Sequence, residues 1–331
     1  IAQMDGRGSA GLTATLLFLA AVLTGSLIGL LSPSTGAVLS GHVDHTVLVL
    51  IVLILFEIEF STIATSAANL RFISIAWVTN FILIPILGFG IASLFLAEEP
   101  LFFIGLIIYF MAPCTDWFLG FTRLANGNTA LGAVLLPINM ISQLLLYPVY
   151  IFLFADSVMP VDATVMAQPF VQWFLVPCLI AMLAHKLLRC ILSRCLFVRL
   201  VAWVGSVIPH VLAFLICAIF AGNITVIAEH MAQFIIMLIA IFLFFVTTFA
   251  LAEIMSRLAG FSYPEHALLT MTTAARNAPM MLGVTAIVLP DQPLVYAAIV
   301  IGMLIEFPHL TALRHILLSR QAVRVTKGRQ T

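Results

Sequence analysis

The chain has 331 residues, 63% of them hydrophobic and only 8% charged, against roughly 25% charged residues in a soluble domain. This composition sets aside a water-soluble fold and points to an integral membrane protein. The formal net charge of zero says nothing about partners beyond the lipid bilayer, and no nucleic-acid partner is expected.

A bilayer-spanning helix needs about 20 mostly apolar residues. Ten such segments are expected near 11–31, 46–66, 72–97, 101–124, 129–155, 167–189, 200–222, 230–256, 264–289 and 292–318. The first follows a near-neutral leader without a convincing small-residue cleavage site, so it is expected to be a span rather than a signal peptide. Glu57 and Glu59 in the second lie near one end, where they can snorkel or pair with Arg71. The third holds Asn80 in "TNFILIP" (79–85), and the fourth holds Pro113, Cys114 and Asp116 in "MAPCTDWFLG" (111–120). His210 in the seventh is expected to pack through a hydrogen bond rather than relay protons. The ninth carries Arg276, Asn277 and Pro279 in "AARNAPMMLG" (274–283), and the tenth carries Glu306 in "IEFPH" (305–309).

Charge divides the connections. Arg7, Arg71, Arg123, Arg257 and the basic groups at 186–199 and 314–329 fall in alternate connections or the two tails. Asp44, Glu98, Glu99, Asp156, Asp162, Glu229 and Asp291 gather in the others. The positive-inside rule then puts both termini in the cytoplasm, and a bacterial inner membrane is the expected location. The cysteines at 114, 178, 190, 195 and 217 are odd in number and lack metal-ligand spacing, so no disulfide framework, metal or cofactor is expected. No His-Glu-x-x-His, Gly-x-Ser-x-Gly or comparable pair suggests an enzyme.

The second five spans follow the first five at an offset of about 155–163 residues, and "LLYPV" (145–149) matches "IEFPH" in its aromatic-Pro pair. Five is odd, so the halves are expected to be inverted: one repeat over 1–160, a second over 161–331, intertwined in a single all-α membrane domain. Inverted repeats characterise secondary transporters, whose sites form where a helix of each half is interrupted near the midplane. The expected breaks are in helices 4 and 9, at Pro113 and Pro279. Proline cannot donate to the helical ladder and clashes with the preceding turn. An intramembrane charge costs at least about 2.5–3.5 kcal/mol and usually pairs or lines an aqueous path. Asp116 and Arg276 are therefore expected to face one cavity, with Glu306 as a second acid and Asn80 as a neutral polar group. Cys114 by itself would more often be a small packing residue.

The pattern resembles the arsenite efflux permeases of the bile acid/arsenite/riboflavin transporter superfamily, which also contains the bile acid sodium symporters. Cys114 stands nine residues before "LANGN" (124–128), similar to the functional cysteine and Leu-Ala-x-Gly-(Asp/Asn) ending of those permeases. "IEFP" with Glu306 is similar to their Val-Glu-Val-Pro, and "NFILIP" to the superfamily's Asn/Gln-Phe-x-Ile-x-Pro. The resemblance implies crossing broken helices and a substrate site including Cys114, Asn80 and Asn277. There are departures. Phe118 and Leu119 stand where the sodium symporters have Ser-Asn, Thr272 where they have Glu, and Arg276 where they have Gln. Sodium wants several oxygen ligands, so sodium coupling is disfavoured and proton coupling through Asp116 or Glu306 replaces it. Arg276 and Asp116 also depart from the typical arsenite permease, implying a divergent branch.

The expected function is secondary active export of arsenite against entering protons by alternating access. Near neutral pH arsenite is an uncharged trihydroxide, for which a thiolate is a reasonable transient ligand. The alternative is an organic-anion transporter in which the planar fork of Arg276 binds a carboxylate or sulfonate.

Overall fold

The computed structural model describes residues 6–57, 69–114, 117–155 and 176–328. The described residues are almost wholly helical, as apolar segments must be where no water is available to their backbone groups. In chain order they form α1 (Gly6–Leu31), α2 (Pro33–Ser40), α3 (Val43–Glu57), α4 (Leu70–Val78), α5 (Ile84–Leu96), α6 (Pro100–Met111), α7 (Trp117–Leu124), α8 (Thr129–Tyr150), α9 (Val176–Ile191), α10 (Arg194–Glu229), α11 (Met231–Ala259), α12 (Tyr263–Ala274), α13 (Ala278–Val288) and α14 (Pro293–Gly328). A π-helical turn, Thr79–Leu83, joins α4 to α5, and another, Ile151–Ala155, extends α8.

Among the described residues five helical stretches are long and apolar enough to cross a bilayer: Leu70–Leu96, Thr129–Phe154, Arg194–Glu229, Met231–Ala259 and Pro293–Gln321. α2 and α3, bent by 45°, make a sixth if taken together. α2 was expected to be connection. Pro33 at its start has the φ a first turn needs and no N–H to leave orphaned. α10 extends beyond the expected 200–222 because Ser193 caps it, accepting from the Leu196 amide.

α1 lies along α10, and α3 packs between α10 and α9. Gly25 and Gly29 make the first contact possible, because a Cβ at either would meet a carbonyl oxygen of Cys217 or Ala221 at 2.4 Å. Such close approach of backbones is how membrane helices associate without a hydrophobic driving force between them. On the other side α6 is enclosed by α5 and α14, and α11 packs on α5 and α12. A smaller apolar cluster, including Cys114, Phe118, Leu135, Leu268 and Leu310, surrounds the inner ends of α7 and α12.

"LANGN" acts as a stop and a start. Asn126 adopts φ 57°, the left-handed conformation that ends a helix. The Asn128 side chain then accepts from the Leu131 amide at 3.0 Å and caps α8. Asn128 N–H also donates to Pro264 O at 2.9 Å, and Tyr263 OH to Ala125 O at 2.9 Å. These bonds tie the outer ends of the two interrupted spans together.

Candidate functional site

The two interruptions meet. Ala112 (φ −104°, ψ 105°) and Ala275 (φ −77°, ψ 135°) are both extended, and Pro113 pairs with Arg276 in an antiparallel bridge. Cys114 N–H donates to Ala275 O at 3.0 Å, and Asn277 N–H to Ala112 O at 2.9 Å. Each break supplies partners for backbone groups that the other has freed, so both are satisfied without water. Pro279 is not in the gap itself. It occupies the first turn of α13, where a missing N–H costs nothing.

Arg276 is fully buried. One terminal nitrogen donates to Phe110 O at 2.9 Å, and the other to Thr272 O at 3.1 Å and Thr273 O at 2.5 Å. These carbonyls belong to the last turns of α6 and α12, where helical carbonyls lack intrahelical partners and the helix dipole is negative. The guanidinium therefore sits as a fixed cation across the C-terminal ends of both inner half-helices. It lies 5.8 Å from the Phe244 ring centroid, and Phe244 stacks on Phe110 at 3.8 Å. Among the described residues its Nε has no hydrogen-bond partner.

Tyr109 links the crossing to α14. Its hydroxyl lies 2.9 Å from Gly302 O and 3.3 Å from Glu306 Oε2, and it is within electrostatic reach of Arg276 and Cys114. A Cβ on Gly302 would meet the Tyr109 ring at 2.8 Å, so only glycine lets that ring lie on α14. Glu306 is 1% exposed, and its Oε1 accepts no hydrogen bond among the described residues. Cys114 is likewise 1% exposed.

A second polar group flanks the crossing. Asn80 Nδ2 and Asn139 Nδ2 each donate to Thr272 Oγ1 at 3.2 Å. Gln143 Nε2 lies 3.3 Å from Met140 Sδ and 3.5 Å from Met280 Sδ, and Asn277 Nδ2 also lies 3.5 Å from Met280 Sδ. The oxygens of Asn80, Asn139 and Gln143 are buried without donors among the described residues. Asn80 stands in the π-helical turn before Pro85, and such turns cluster at functional sites. Pro85 has no N–H for the Phe81 carbonyl, which accepts from Tyr150 OH instead.

Pro113, Cys114, Arg276 and Asn277 thus share the crossing, with Asn80 and Glu306 joined to it through Thr272 and Tyr109. Asp116 and Glu59 lie outside the described residues, as does the side chain of Glu57. Arg71 donates to Ala259 O at 2.7 Å. His210 is exposed and bonded within its own helix to Ser206 O. Tyr109, Asn139 and Gln143 were missed. Asn139 and Gln143 stand four apart in an apolar helix, a spacing that puts both on one face, and this signal was present in the sequence.

Apolar spans with two interrupted helices bonded to each other, around buried charge, define a polytopic membrane protein with an intramembrane polar site. The Sodium Bile acid symporter family matches residues 45–230, more than half of the chain, and the chain belongs to that family of membrane transporters. Its membership sets aside the enzymatic reading. The chain is similar to a probable sodium/metabolite cotransporter, BASS2, chloroplastic, from Oryza sativa subsp. japonica, at 25% identity over 248 residues, 75% of this chain and 57% of that protein. It is also similar to the arsenical-resistance protein Acr3 from Corynebacterium glutamicum, at 24% identity over 276 residues, 80% of this chain and 74% of that protein. The matched part therefore spans little more than half the length of the rice relative.

Proposed function

We propose that the protein is a secondary active transporter that exports arsenite in exchange for protons, by alternating access across a bacterial inner membrane with both termini cytoplasmic. The observation that carries this reading is a thiol, Cys114, buried at the crossing together with a fixed guanidinium, with Tyr109 within electrostatic reach of both Cys114 and the Glu306 carboxylate. One thiol holds arsenic weakly, and a transporter must release what it binds. The similarity to an arsenical-resistance protein over 80% of the chain supports the same substrate.

Arg276 supports proton rather than sodium coupling. Its guanidinium already bonds the carbonyls of Phe110, Thr272 and Thr273, and a second cation among them would meet its repulsion. Phe118 is a buried phenyl ring where the sodium symporters carry an oxygen ligand. Glu306, with one oxygen unbonded, and Asp116 are the proposed proton carriers. The proposed framework remains ten spans in two inverted repeats, 1–160 and 161–331.

The second reading, an organic-anion transporter, is favoured by the metabolite cotransporter similarity and by the unbonded Arg276 Nε. It requires an anion to compete with three backbone carbonyls for the guanidinium, and this places it second. Arsenite accumulation in bacterial cells stripped of their own exporters separates the two. Native protein should lower accumulation, and Cys114→Ser at matched expression should abolish the effect. Unchanged accumulation with well-expressed native protein would sink the arsenite reading and leave organic anions.

A further inference from the structure

Away from the crossing, α9 and α10 double back through Leu192 and Ser193. α9 packs mainly on α3, and a groove of about 820 Å³ opens between it and the start of α10. The groove has two chemically different parts. Its rim carries Arg189 from α9 and Arg194 from α10, both exposed, with His185 beside them. Its wall is apolar, formed by Phe197, Val198 and Val201. The His185 ring is held in place: Nδ1 donates to Phe56 O at 2.7 Å, and the ring meets Phe197 edge-on at 5.0 Å. Nε2 is left as its second polar atom.

The surroundings are those of a bilayer interface. Leu183, Leu187 and Ile191 on α9 and Val198 and Trp203 on α10 are more than half exposed, as lipid-facing side chains are. Between Asp162 and Glu229 the sequence has four cations, Lys186, Arg189, Arg194 and Arg199, and no acid. An apolar wall below two guanidiniums matches an amphiphile with an acyl chain and an anionic head. Guanidinium binds phosphate oxygens in bidentate fashion, and basic pockets between membrane helices take anionic lipid head groups.

We propose that this groove is a binding site for an anionic glycerophospholipid of the surrounding leaflet, with the phosphodiester on Arg189 and Arg194 and an acyl chain along Phe197, Val198 and Val201. The site lies on α9 and α10, so its test is independent of which substrate the crossing carries.

The full chain in nanodiscs of phosphatidylcholine containing phosphatidylglycerol, followed by native mass spectrometry and thermal unfolding, provides that test. Retention of phosphatidylglycerol over phosphatidylcholine, and a higher unfolding temperature with it, are expected. Arg189→Gln with Arg194→Gln should reduce the preference at least fivefold, since a single cation near an anionic surface contributes roughly that factor. Lys186→Gln with Arg199→Gln, which removes as much charge outside the groove, should leave most of it. Ala202→Trp, which fills the groove and changes no charge, should also displace the lipid while the size-exclusion profile stays native. Equal losses from both charge pairs would overturn the proposal in favour of general surface attraction. Displacement of the lipid by millimolar inorganic phosphate would overturn it in favour of a free-anion site.

Discussion

Two polar groups lie side by side in the membrane interior, and they are satisfied to different degrees. At the crossing of the two broken helices nearly everything is bonded: each break supplies the other's backbone partners, and Arg276 spends its terminal nitrogens on three carbonyls. In the neighbouring group the oxygens of Asn80, Asn139 and Gln143 receive no donor among the described residues. A buried polar atom left unbonded costs on the order of 1–3 kcal/mol. The difference teaches a division of labour. On the proposed reading, hydrogen bonds hold the two breaks together around Cys114, and the amide oxygens would be acceptors for a hydroxylated solute such as the arsenic trihydroxide.

The comparison breaks most sharply at Arg276. Replacing it with Met leaves the carbonyls of Phe110, Thr272 and Thr273 without donors, a loss of about 3 kcal/mol or more. Arg276→Met should therefore fail to yield monodisperse protein in detergent, as size exclusion would record. Native-like stability with selective loss of transport would instead make Arg276 a substrate ligand.

Cys114→Ser keeps the backbone bond to Ala275 and nearly the same volume, so stability should shift by less than about 1 kcal/mol. Arsenite export should fall to the background of empty cells. Export by the serine variant equal to native would remove the thiol from the mechanism.

Glu306→Gln can still accept from Tyr109, and the protein should stay folded. In everted vesicles its arsenite uptake should no longer respond to an imposed pH gradient, whereas native uptake should rise as the vesicle interior is acidified. A native-like response would shift the proton role to Asp116.

Gln143→Met offers the finest test of the reserve acceptors. Among the described residues its amide nitrogen is bonded only to sulfur, so removing the unbonded oxygen should raise stability by about 1 kcal/mol while lowering export severalfold. A stabilised variant with full export would mean that this oxygen is not on the substrate path. Tyr109→Phe should lower stability by about 1 kcal/mol through its lost hydrogen bonds, seen as a modestly lower unfolding temperature.

Much of the site could be read from one-dimensional signals. Pro113 marked the first break because proline removes a donor from a helix; Pro279, expected to mark the second, lies just beyond it in the first turn of α13, and Arg276 beside it stood out because a charge in an apolar run demands a reason. Asn80 and Glu306 stood out on the same ground. Tyr109 did not, since an aromatic in a membrane segment has many ordinary uses, and its reach to Glu306 depends on Gly302 lying across from it on α14. Thr272 entered only as a departure from the symporter pattern, whereas in the fold its hydroxyl gathers two amides.

Composition and hydrophobic run length alone determined a membrane-embedded helical chain, because every backbone group in lipid must be bonded internally. Proline and intramembrane charge alone located the interruptions. Only the tertiary structure decided what satisfies them. The bonds between Ala112, Cys114, Ala275 and Asn277 join positions more than 160 residues apart, and the partners of Arg276 are main-chain carbonyls, which every residue carries and no sequence pattern distinguishes.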